Sequence, residues 1–284
     1  YDGGLESIFA RGQVVAGVAM LVGSVVGGFV AQLTNLGVPY LLRAVLLAAV
    51  FGVAFFTMRD EGFTPHRGRG PIDELKTVLA ASLENGWRNP PIRWVMLAAP
   101  FTAGAGIFAF YAMQPYLLEL YGDDTAFGVA GLAAAIVAGA QVVGGLLVPQ
   151  IRKVLKRRTD ALIGAVVVSV AVLATLGFTS SFWVALALIS VWALTFAATG
   201  PIRQAYVNGL IPSEQRATVL SFDALMSSTG GVVAQPALGR AADVWSFGTA
   251  YVISAAVTAA ALPFYRLARR ERAVSDPIEA SPGG

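Results

Sequence analysis

Eight stretches of about twenty mostly apolar residues divide this sequence. Each is as long as a helix must be to cross a ~30 Å hydrocarbon core at ~1.5 Å per residue. They run over 12–33, 38–57, 92–118, 126–149, 160–178, 182–202, 217–238 and 248–268. All are rich in Ala, Val, Leu and Gly, and the small residues let helices approach closely in lipid. A transmembrane β-barrel would instead show segments of about ten residues with alternating polarity. With 56% apolar and 13% charged residues, the chain lacks the polar coat of a soluble domain, where about 25% of residues are charged. The fold class expected is an all-α integral membrane protein of eight transmembrane helices.

Lysine and arginine give the orientation, because cytoplasmic loops carry them in excess. Of the 20 basic residues, all but Arg43 and Arg240 fall on one side of such a bundle. The opposite connections, TNLG, YGDD, TSS and GRAADVWSFG, are short or acidic. Both ends of the chain are therefore expected in the cytoplasm, and the protein in the cell membrane as a multi-pass chain. Trp183, Trp245, Tyr40 and Tyr121 then sit near the outer interface, with Trp87 and Trp94 near the inner one. The net charge of +3 does not imply nucleic acid, since the basic residues form short clusters between apolar runs, which suits an anionic leaflet.

Two polar stretches interrupt the apolar runs. Residues 203–222, RQAYVNGLIPSEQRATVLSF, read as a cytoplasmic loop in which Pro212 breaks a helix, Ser213 caps the next turn and Arg216 stays at the headgroups. Residues 58–91 link the second and third spans, and Ile72, Leu75, Val78 or Leu79, Leu83 and Trp87 recur there at helical spacing, as in an amphipathic helix lying against the membrane or the cytoplasmic mouth of the bundle. The organisation expected is 1–57, two helices ending a first bundle; 58–91, the linker; 92–270, a six-helix bundle; and 271–284, a disordered cytoplasmic tail.

The residue inventory excludes several chemistries. With no cysteine there is no disulfide, thiol nucleophile or thiolate metal site, and the single His66 lies in a basic loop beside Arg67 and Arg69. No metal site, cofactor or catalytic residue is expected. A membrane-embedded enzyme would need clustered catalytic groups in the spans, and Asp223 is the only acid well inside one.

The first and seventh spans echo one another. GFVAQLTNLGVPYLL (28–42) and GRAADVWSFGTAYVI (239–253) share Gly28/Gly239, Ala31/Ala242, Gly37/Gly248 and Tyr40/Tyr251, every pair 211 positions apart. Such repeats mark transporters built from two related bundles. A six-helix repeat would place four further spans before residue 1, making this chain the last two-thirds of a longer protein.

With YDGGLESIFARGQ, VNGLIPSEQRATVLS and GRAADVWSFGTAY in this order, the chain resembles the drug-efflux-like branch of the major facilitator superfamily, over the equivalent of helices five to twelve. The resemblance implies an incomplete two-bundle fold and a secondary active transporter working by alternating access. It further implies proton-coupled efflux of a small solute by a protein monomeric at full length, with lipid and protons as its other partners. Metabolite uptake, or a truncated relic that no longer transports, are the alternatives. Two departures stand out. The glycine run of the fifth helix reads VGSVVGG, with Ser24 in place of the family's proline. GGLLVPQIRKVLKRRTD keeps a basic cluster and Asp160 without the family spacing, so Arg157, Arg158, Asp160 and Arg216 are gating candidates or simple anchors.

Polar groups within spans are functional candidates. Arg43 either snorkels outward or faces the cavity. Gln141, Tyr111, Gln114 and Gln235 either line a substrate site or join helices by hydrogen bonds. Gly23, Gly27, Gly28, Gly230, Gly231 and Gly239 are expected at helix contacts. On the seventh span, Phe222, Met226 and Val233 form an apolar strip for lipid. Asp223, Ser227, Gly230 and Ala234 form a second strip turned away from it, so Asp223 faces the interior, as a helix-fixing acid or as a group that titrates during transport.

Overall fold

The computed structural model describes residues 5–58, 76, 80, 86–212 and 215–278. Its helices are α1 (Leu5–Leu33), α2 (Gly37–Thr57), α3 (Pro90–Tyr121), α4 (Phe127–Leu146), α5 (Val148–Val154), α6 (Arg158–Leu176), α7 (Phe182–Asn208), α8 (Arg216–Val244), α9 (Phe247–Ala259) and α10 (Leu262–Arg270). There is no strand among the described residues, and eight helices are long and apolar enough to cross a membrane, with α9 and α10 forming the eighth. The expected spans and these helices correspond one to one. The amphipathic helix expected in the linker and the cap at Ser213 lie largely outside the described residues.

Proline explains the two breaks. Pro149 cannot donate to Gly145 and Pro263 cannot donate to Ala259, so α4 ends at Leu146 and α9 at Ala259. Residues 203–222 are a correction. They are mostly helical rather than a loop, because Ala198, Ile202, Ala205 and Tyr206 continue one buried face and carry α7 on to Asn208. Only 209–215 turns. On the opposite face the α3–α4 connection is closed by Gly122 at φ +83°, a left-handed cap that glycine adopts without penalty. Beyond it Asp123 accepts hydrogen bonds from the Thr125 hydroxyl (2.7 Å) and N–H (2.9 Å), which hold its carboxyl below the ordinary aspartate range.

The helices α3 to α10 pack around two large apolar cores and a small cluster of Val148, Ala161 and Ile202. Near the end away from the basic residues Phe108, Met113, Leu173, Ile189 and Trp192 surround Tyr116 and Tyr251, whose rings lie 5.1 Å apart. Both phenols are satisfied by backbone. Tyr116 donates to the carbonyls of Leu176 (2.9 Å) and Thr179 (3.1 Å), and Tyr251 to that of Ala109 (3.3 Å). The second core, at the basic end, holds Ile92, Met96, Leu162, Tyr206, Val219 and Tyr265. Trp183, Trp245 and Tyr40 are exposed, as membrane-interface aromatics would be.

The helix α1 packs along α4, α3 along α8, and α7 on α4 and α6. The α3–α8 crossing is close. A Cβ on Gly104 would stand 2.6 Å from the Gly230 carbonyl, and one on Gly230 would overlap Pro100. In contrast, α2 packs lightly on α1 and none of its residues is buried. The tail is a further correction. It is ordered as far as Ile278, with Ser275 and Asp276 buried against α6 and α7; residues 279–284 lie outside the described residues.

Candidate functional site

An ion pair joining two spans near the bundle interior arises where α7 runs on past Pro201. Because α7 persists to Asn208 and α8 starts at Arg216, Arg203 near the end of one helix meets Asp223 near the start of the next. Arg203 Nη1 donates to Asp223 Oδ2 and Nη2 to Oδ1, both at 2.7 Å. The side chains are 21% and 9% exposed. A planar guanidinium satisfies both carboxylate oxygens at once, which lets each charge be held within a membrane-spanning bundle. Asp223 thus faces the interior, as its helical strip implied, with Ser227 donating to its carbonyl at 3.0 Å.

Beside this pair lies a cavity of about 330 Å³, within the size range of small-molecule sites. Arg203 and Gln204 line one end, and Trp192 stacks on Phe196 at 5.7 Å further along the same helix. The walls are Ala99, Thr102 and Gly106 of α3, Leu162, Val166 and Ser169 of α6, Ser227 of α8, and Thr258 and Tyr265 of the last span. The hydroxyls of Thr102, Thr199 and Thr258 donate to carbonyls of their own helices. Their oxygens keep acceptor capacity while the donors are spent. The arrangement offers an aromatic plate and apolar walls at one place and a neutralised charge pair at another. No group of three or more metal-ligating side chains occurs among the described residues.

The other candidates lie elsewhere. Arg43 is exposed in an apolar groove of about 900 Å³ between α1 and α2. Gln114 lines a separate hollow of about 420 Å³ with Ser24, Gly27 and Gly28. Tyr111 is exposed and packs edge-on to Phe110 at 5.4 Å. Gln141 and Gln235 are half-buried, and neither lines the cavity. Of the glycines, Gly28, Gly230 and Gly231 meet neighbouring atoms closely, whereas Gly23, Gly27 and Gly239 stand clear of any neighbour among the described residues, which corrects their expected packing role. On α8, Leu225, Val232 and Val233 are exposed while Phe222 packs toward the basic-end core, so the outer strip is rotated from the one expected. At the basic end, Asp160 pairs with Arg269 at 2.7 Å, Arg157 is exposed, and Arg216 opens α8 half-buried.

The sequence reading missed Trp192, Arg203, Gln204, Thr258 and Tyr265. The spacing of Ala198, Ile202 and Tyr206 was the available signal, since it continues the helix past Pro201 and turns Arg203 inward.

Residues 153–283 match the family model of the Major Facilitator Superfamily. No curated protein matches the sequence. Among solved structures, FucP, a transporter of that superfamily captured in the outward conformation, superposes with a TM-score of 0.57 at 19% identity, covering 82% of this chain and 55% of its own. A structure of the E. coli fucose:proton symporter FucP gives 0.59 at 20% identity with the same coverage. A bacterial homologue of the human lysosomal transporter Spinster, inward-facing and unoccupied, gives 0.52 at 17%, covering 96% of this chain and 70% of its own. The chain thus spans just over half the length of the FucP chains, and at these identities the likeness is one of fold.

Proposed function

We propose that this chain, whose residues 153–283 match the family model of the Major Facilitator Superfamily, belongs to that superfamily and is part of a proton-coupled secondary transporter exporting a small amphipathic solute by alternating access. The observation that carries this reading is the bidentate Arg203–Asp223 pair at the end of the cavity. With Asp223 ionised, its carboxylate neutralises Arg203 and ties α7 to α8. When a proton reaches Asp223, one partner of the fork loses its charge, and Arg203 is left to reorient toward the cavity or water. Because an unpaired charge in this setting is costly, protonation favours a different arrangement of the two helices, and that linkage is what couples a proton to a conformational step.

In this reading α1 and α2 end one bundle, α3 to α10 form the other, and the rocking of one against the other exposes the cavity alternately. The basic end faces the cytoplasm and the protein works as a monomer in the cell membrane. Export is favoured by the resemblance of 207–221 to the drug-efflux-like branch. Solute:proton symport is the second reading, favoured by the fold shared with a fucose:proton symporter.

The full-length protein in liposomes with a trapped pH dye tests this. A panel of aromatic amines, neutral aromatic solutes and fucose is offered with and without an imposed pH gradient. Solute movement against the proton flow supports export, movement with it supports symport, and solute flux indifferent to the gradient contradicts both.

A further inference from the structure

We infer that residues 273–278, AVSDPI, act as a clasp: an internal ligand that closes the basic end of the six-helix unit and fixes the last turn of α7, next to Arg203. The observations stand apart from the transport reading and concern groups that the ends of α6 and α7 leave unpaired.

The first is the start of α6. Its leading backbone N–H groups have no partners within the helix, and Arg157, in the capping position, makes no side-chain cap. Asp276 supplies one from far along the chain. Its Oδ1 accepts from the Thr159 N–H at 2.9 Å and its Oδ2 from the Thr159 hydroxyl at 3.0 Å, with the residue 2% exposed. A carboxylate there also meets the positive end of the helix dipole. Backbone pairing continues on both sides, from Arg158 N–H to the Asp276 carbonyl (2.8 Å) and from Ile278 N–H to the Lys156 carbonyl (2.9 Å), with Arg157 opposite Pro277 in antiparallel register. The Arg158 guanidinium closes the loop by donating to the carbonyls of Ser275 and Pro277.

The second is the end of α7. The Leu210 N–H donates to the Val207 carbonyl, so the Tyr206 carbonyl loses its usual partner four residues on. The Ser275 hydroxyl donates to it at 2.8 Å. Gly209 makes room, since a Cβ there would stand 2.8 Å from that of Ser275. Just before the clasp, Glu271 accepts from Trp94 Nε1 at 3.0 Å and Arg269 pairs with Asp160. The clasp therefore ties α6 to α7, and with Arg269 and Glu271 before it the stretch 269–278 joins α3, α6, α7 and α10 at one face. Tyr206, one turn after Arg203, is the point at which it grips α7.

Amide hydrogen exchange on the full chain in nanodiscs tests the clasp without any substrate, so failure of the clasp and failure of the transport reading are separable. In Asp276→Ala the amides of Arg158 and Thr159 are expected to exchange about tenfold faster or more, with residues 116–121 at the opposite end unchanged. Unchanged protection at Thr159 overturns the proposal. Should that variant fold poorly, Arg157→Cys with Pro277→Cys decides instead. The native chain has no cysteine, and facing antiparallel residues lie within disulfide reach. Near-complete cross-linking on mild oxidation is expected, and a folded protein that stays uncross-linked overturns it.

Discussion

Gly28 of α1 and Gly131 of α4 lie backbone to backbone: a Cβ on Gly28 would stand 2.8 Å from the Gly131 Cα, and one on Gly131 would stand 2.7 Å from the Ser24 carbonyl. One turn on, Gln32 Oε1 accepts from the Gly128 N–H at 3.1 Å. This seam joins the α1–α2 pair to the six-helix unit, and it depends on two residues without side chains. Gly28→Leu is expected to cost about 1–3 kcal/mol by overpacking, seen as a lower unfolding temperature in detergent. Gly23→Leu, where a side chain meets open space, should leave that temperature nearly unchanged. Equal losses at both positions would contradict the seam.

The end opposite the basic residues depends on phenol–carbonyl contacts. Tyr116→Phe removes a donor shared by the Leu176 and Thr179 carbonyls, and the expected loss is about 1 kcal/mol. Tyr251→Phe, whose bond is longer at 3.3 Å, should lose less. Thermal unfolding of the two variants ranks them, and the reverse order would contradict the packing described.

The Arg203–Asp223 fork should be strongly non-additive. Arg203→Met alone strands a buried carboxylate and Asp223→Leu alone strands a buried guanidinium, each costing about 3–5 kcal/mol. The double variant strands neither, and its loss should fall below that of either single change. A double-mutant cycle on folded stability measures this, and additive losses would show that the pair is uncoupled.

In the α3–α4 connection, Thr125 hydrogen bonds lower the Asp123 pKa. The sign follows from linkage: the stabilisation is present above the unfolded aspartate value of about 3.9 and is lost as pH falls through the lower folded value. Thr125→Ala removes the hydroxyl contribution, which is the larger one. Carboxyl NMR titration should then find Asp123 shifted upward, and an unchanged midpoint would contradict the assignment.

Most of the fold was legible because lipid imposes a simple rule, about twenty apolar residues per crossing, and the eight runs obey it. Asp223 was also legible, since a charge on a helix with an apolar outer face has one tolerable direction. Its partner was hidden. Arg203 sits past the last continuous apolar residue, where a positive-inside anchor and an inward-facing ion look alike, and only the stripe of Ala198, Ile202 and Tyr206 separates them. Gly23 and Gly28 read identically in sequence, and the crossing with α4 alone tells them apart. The tail was the hardest case: AVSDPI has the composition of disorder, and its order comes from unpaired groups on α6 and α7 more than a hundred and about seventy residues away.

The most direct test is gradient-driven transport by the full-length protein carrying Asp223→Asn, reconstituted beside the native protein with one solute that the native protein moves. Asparagine keeps the size of the side chain and removes the carboxylate. Gradient-driven accumulation is expected to fall to the level seen without a gradient, while solute exchange across the membrane at equal pH persists and the variant remains folded. Gradient-driven accumulation at the native level by a folded Asp223→Asn protein would contradict proton coupling through this pair.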